Sequence, residues 1–159
     1  MALAQRSARS RDGCRDGPSH GDDNPAAVSA GGDCPALTPA DIKSVTGVDV
    51  HAVPRLSQPG AGFTCANYDT ADGKLFVGIS LANSTGELQA MVPPDGVYPV
   101  KTTLSGVGDS ATLYKTDAAG TVRFLLASKG GKGFALAPFT TAITDDQLTR
   151  LAHTAAGRL

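Results

Sequence analysis

The chain has 159 residues, with 14 Lys+Arg against 15 Asp+Glu and a formal net charge of -1. That length suits one domain with a real core, and the even charge balance argues against a nucleic-acid surface, which carries clustered positive charge. Aromatic residues make up 5% and Trp is absent, so a base-stacking platform is disfavoured, and no stretch approaches the roughly 20 apolar residues of a spanning helix.

Residues 1–33 differ from the rest. They hold Arg6, Arg9, Arg11 and Arg15, then Asp12, Asp16, Asp22, Asp23 and Asp33, among many Gly, Ser and Ala. Such a segment buries too little apolar surface to offset its ordering entropy, so a disordered tether is expected. Met1-Ala2-Leu3-Ala4 runs straight into Gln5-Arg6-Ser7, without the apolar core of about 7–15 residues that a signal peptide needs. Cys14 follows the small Gly13, as a lipid-bearing cysteine would, but Arg11 stands where that signal wants an apolar residue. Two readings are open: an export signal upstream of a misassigned start, or a cytosolic chain.

The folded part is expected from Cys34 onward. Leu37-Thr38-Pro39-Ala40-Asp41-Ile42 reads as a helix start, with Thr38 as cap, Pro39 at the first helical position and Asp41 at the reciprocal cap. The spacing predicts a helix over about 38–46, closed by Gly47. Val48 to Leu56 is strand-like, and Pro54 confines it to an edge. Gly62 to Tyr68 and Leu75 to Leu81 form an expected hairpin around Asp69-Thr70-Ala71-Asp72-Gly73. Asn83 to Met91 suits one or two helical turns, and Pro93-Pro94-Asp95-Gly96 breaks the chain. Ser110 to Lys115, Thr121 to Ala127 and Gly133 to Phe139 then read as strands with short returns, hence antiparallel. Thr144-Asp145-Asp146-Gln147 is a capping box, followed by the helical stripe Leu148, Leu151, Ala152, Ala155 and a stop at Gly157. The expected fold is α+β: an antiparallel sheet of about five or six strands packed with a short N-terminal helix and a C-terminal helix, over 34–159.

Cys34 precedes the first helix and Cys65 lies in a strand, with no metal-ligand partners around either. A structural disulfide is the expected reading, which places the domain outside a reducing cytosol. The alternative is two buried free thiols, common in cores. A bridge would close 65 − 34 = 31 positions, worth about 3.5–4 kcal/mol in the chain-entropy model.

The layout Cys34-Pro35-Ala36-Leu37-Thr38-Pro39-Ala40-Asp41-Ile42, Gly47-Val48, Cys65-Ala66-Asn67-Tyr68 and Gly106-Val107-Gly108-Asp109-Ser110-Ala111, with a terminal helix, resembles a group of actinobacterial exported lipoproteins that share a domain of unknown function. The resemblance covers about residues 34–157. It implies a lipobox, a Gly/Ser-rich tether and an envelope-facing α+β domain, and it implies little about activity. This chain departs from the pattern at its beginning, where the lipobox is missing.

Candidate chemistry is sparse. Gly106, Gly108 and Asp109 suit either a ligand-holding loop or a turn that needs glycine. Lys129 and Lys132, around Gly130-Gly131, form a basic hairpin tip that suits either a solvated turn or contact with an acidic envelope polymer. Gly78-Ile79-Ser80-Leu81-Ala82 nearly matches a nucleophile elbow, but its last position is Ala82 and its context is a strand. His20, His51 and His153 lack metal-ligand spacing, and Asp145 and Asp146 suit the first turn of a helix. Asn83-Ser84-Thr85 is a glycosylation sequon, which carries little weight in a bacterial chain.

The expectation is therefore a monomeric, non-enzymatic, extracytoplasmic module without cofactor or metal. Its partner would be an unidentified envelope component or small ligand. The other readings are an enzyme whose site the order of residues hides, and a structural accessory subunit.

Overall fold

The computed structural model describes residues 34–53 and 64–159. The expected tether over 1–33, with Cys14 and His20, lies outside the described residues, as do residues 54–56 and 62–63 of two expected strands.

Helix α1, Pro39–Thr46, begins as its sequence dictates. The Thr38 hydroxyl accepts from Asp41 N–H at 3.3 Å, and the Asp41 carboxylate accepts from Thr38 N–H at 2.8 Å. Pro39 costs nothing at the first position, where its missing N–H would have no helical partner. Gly47, at φ 76°, ends the helix in the left-handed region. The strands follow as β1 Val50–Val53, β2 Thr64–Thr70 and β3 Leu75–Ala82. Helix α2, Thr85–Met91, starts at Ser84, whose hydroxyl accepts from Glu87 N–H at 3.2 Å. Then come β4 Val100–Leu104, β5 Ser110–Lys115, β6 Arg123–Lys129 and β7 Lys132–Pro138. Helix α3, Asp145–Gly157, is capped reciprocally by Thr144 and Gln147.

The strands form one sheet in the order β1-β2-β3-β7-β6-β5-β4, with every neighbouring pair antiparallel. Two meanders therefore meet at the middle, where β3 pairs with β7. The chain crosses from the centre to the far edge through α2, so β1 and β4 are the edges. An edge position for β1 agrees with the nearby Pro54.

The sheet has seven strands, not five or six, and β4 accounts for the difference. Its sequence Val100-Lys101-Thr102-Thr103-Leu104 is polar at the middle three positions, all exposed. An edge strand half-covered on one face keeps only its two ends apolar, so a reading built on apolar alternation passes over it. The last helix includes Gly157, and Arg158 rather than Gly157 forms its cap.

The main core lies between one face of the sheet and the helices α1 and α3. Ile42, Tyr68, Val77, Ile79, Leu125, Phe134, Leu136, Leu148 and Leu151 are all fully buried there. Each such aliphatic side chain contributes about 1.5–3 kcal/mol by leaving water. The opposite face carries a smaller cluster. Tyr114, Leu126 and Ala135 pack with Leu88 and Met91 of α2 and with Tyr98 and Phe124. Gly133 lets α2 dock, because a Cβ there would collide with Leu88 and stand 2.9 Å from the Ala127 carbonyl oxygen.

Candidate functional site

The turn before α1 is pinned to β2 twice. Cys34 and Cys65 are joined by a disulfide with a Cα–Cα distance of 5.3 Å, inside the usual range. Cys34 is fully buried and Cys65 half-buried. Three residues on, the Leu37 carbonyl accepts a hydrogen bond from the buried Tyr68 hydroxyl. The same end of α1 is tied to the end of α3 by Arg158, which grips Asp41 in a fork, Nη1 to Oδ2 at 2.6 Å and Nη2 to Oδ1 at 2.8 Å. Burial pushes the Asp41 carboxyl up, but hydrogen bonds from Arg158 and Thr38 outweigh it and hold the group below the usual carboxylate range.

The candidate residues of the two glycine-containing segments come together elsewhere. The loop between β4 and β5, the end of β6 and the last turns of α3 enclose an open cleft of about 310 Å³. Gly106, Gly108, Asp109, Lys129, His153, Ala156 and Gly157 line it. Gly108 is there of necessity: its φ is 61°, and a Cβ would collide with the Ser128 carbonyl oxygen. Gly106 faces His153, whose Cε1 would stand 3.5 Å from a Cβ at that position.

The polar groups of the cleft mostly hold the corner together. Asp109 N–H donates to Ser128 O at 2.7 Å, and an Asp109 carboxylate oxygen accepts from Gly130 N–H at 2.7 Å. On the opposite face of the same ladder, outside the cleft, the Ser110 and Ser128 hydroxyls share a hydrogen bond at 2.8 Å. Lys129 Nζ donates to Ala156 O at 2.9 Å, placing a cation where the helix carries its partial negative charge. Lys132 is exposed and does not line the cleft, but it sits directly opposite Lys129 in the β6–β7 ladder. His153 joins the site from about 45 positions along the chain. The sequence offers only its place on the exposed side of α3, near the helix end.

The lining residues include no hydroxyl or thiol nucleophile. The groups they present are one ammonium, one imidazole, one carboxylate and bare main chain. Ser80 lies within β3, paired across the ladders with Thr64 and Ala135, so the strand-to-helix turn of a nucleophile elbow is missing. His51 is exposed on β1. No three His, Cys, Asp or Glu residues converge among the described residues.

A second polar cluster sits at the opposite end of α3. Asp145 receives Lys115 Nζ and, at 3.0 Å, Arg123 Nη1, while Arg123 Nη2 donates to Thr140 O at 3.2 Å. Arg123 is only 8% exposed. Burial raises the Asp145 carboxyl, and hydrogen bonds from Lys115 and Arg123 more than reverse that, leaving it below the usual range. Asp145 thus joins α3 to β5 and β6, besides sitting in the positive first turn of the helix.

The fold and these contacts define a disulfide-stapled, single-sheet α+β domain that carries an open polar cleft. Comparison with protein-family models, with characterised proteins and with solved structures returns no match.

Proposed function

We propose that this is an extracytoplasmic, non-enzymatic binding module of the cell envelope. The observation that carries the reading is the Cys34–Cys65 disulfide, because structural disulfides form and persist in oxidising compartments. The resemblance to exported lipoproteins at Cys34, Cys65 and the Gly106–Asp109 segment points the same way. A filled core and an open polar cleft at the surface support binding there. No helix among the described residues is long and apolar enough to cross a membrane.

The test is accessibility in the native cell. Intact cells treated with a membrane-impermeant amine label should carry that label on the exposed Lys132 and Lys74. Labelling that appears only after lysis would contradict the extracytoplasmic assignment.

A further inference from the structure

We infer that the corner formed by Lys129, Lys132 and His153 is a subsite for phosphate groups of an anionic envelope polymer. This deepens the proposed function and rests on it. Residues 129 and 132 are directly opposed across the β6–β7 turn, and like charges so placed destabilise a hairpin. Both lie on the sheet face that α3 covers, since Lys129 reaches the carbonyl of Ala156. The other described lysines each meet a carboxylate: Lys43 with Asp49, Lys74 with Asp72, Lys101 with Asp95, Lys115 with Asp145. The opposed pair has none. A local arrangement that works against stability is expected where a protein keeps a function.

The surroundings add to the positive field. Arg150 lies three residues before His153 on α3, and both are exposed. The acid in the lining, Asp109, has one oxygen committed to Gly130 N–H. Lysine ammonium groups on flexible stems meet phosphate as point charges and need no fixed fork geometry. The cleft is open rather than enclosed, so it suits a chain lying across the surface better than a small molecule swallowed whole. Contacts of this kind are screened by salt.

The probe is linear polyphosphate, added to isotope-labelled protein at low salt, with amide shifts read by NMR. Shifts should centre on Gly106, Gly108, Gly130, Gly131 and His153, and binding should weaken as salt is raised. A Lys132→Gln/His153→Gln double variant, with its melting temperature unchanged, should bind about fivefold more weakly. Inorganic phosphate should bind the same amides more weakly than the polymer. Scattered or absent shifts, or a double variant that binds as tightly as the parent, would overturn the inference. Vesicles of phosphatidylglycerol binding more tightly than polyphosphate would overturn the polymer as source. A failure here with the disulfide intact leaves the binding-module reading standing. Free thiols in the native protein would remove that reading without altering the titration.

Discussion

The C-terminal half of α3 borders two corners built in unlike ways. At the stapled corner, Arg158 reaches Asp41 on α1, next to a turn held by the Cys34–Cys65 bridge and the Tyr68–Leu37 hydrogen bond. At the cleft corner, Lys129 reaches the Ala156 carbonyl, and Asp109 holds the Gly130 amide, all near solvent. The first corner is covalent, buried at Cys34 and Tyr68 with the Arg158–Asp41 pair at its surface, and committed to stability. The second uses exposed charges of small worth and leaves two lysines without carboxylate partners. Firm anchoring of the helix at one corner leaves the other free to present charge.

Breaking the stapled corner should cost most. Replacing both cysteines, Cys34→Ala with Cys65→Ala, is expected to lower unfolding free energy by about 3.5–4 kcal/mol, read from urea denaturation. Next is Tyr68→Phe, which leaves the buried Leu37 carbonyl without this donor. A loss of about 1–3 kcal/mol is expected, with little change in the native spectrum.

Acid sharpens the comparison further. Asp41 and Asp145 both have carboxyl pKa values below the usual range in the folded state. Their ionised forms therefore contribute stability that is fully present above the unfolded value of about 3.9 and is lost as pH falls through the lower folded values. Melting temperature should fall across that acid window. Asp41→Asn should flatten the fall and cost about 1 kcal/mol at neutral pH, since it removes a cap acceptor and the Arg158 partner. The smallest effect belongs to the cleft: Lys129→Gln should change unfolding free energy by less than about 0.5 kcal/mol, because losing the cation at the helix C-terminus is offset by relief of the repulsion from Lys132.

The stapled corner was legible in the sequence because its signals are local and chemical. Thr38, Pro39 and Asp41 announce a helix start within four residues, and two cysteines without metal partners suggest a bridge. Strand β3 declared itself through Leu75, Val77, Ile79 and Leu81. Strand β4 did not, because Lys101, Thr102 and Thr103 face water at an edge and leave no apolar alternation. The cleft was half legible. Gly106, Gly108, Asp109 and Lys129 stood out by type, but their meeting, and the arrival of His153, depends on β5 pairing with β6 and on where α3 crosses the sheet. Asp145 read as a helix-start acid, and its partners Lys115 and Arg123 come from distant strands. No local pattern encodes such a meeting.

The bridge can be read directly by mass spectrometry of protein taken from its native cells, alkylated without reductant and then digested. The account predicts a cross-linked peptide pair carrying Cys34 and Cys65, with neither sulfur alkylated. Recovery of both residues as separate alkylated peptides would contradict it.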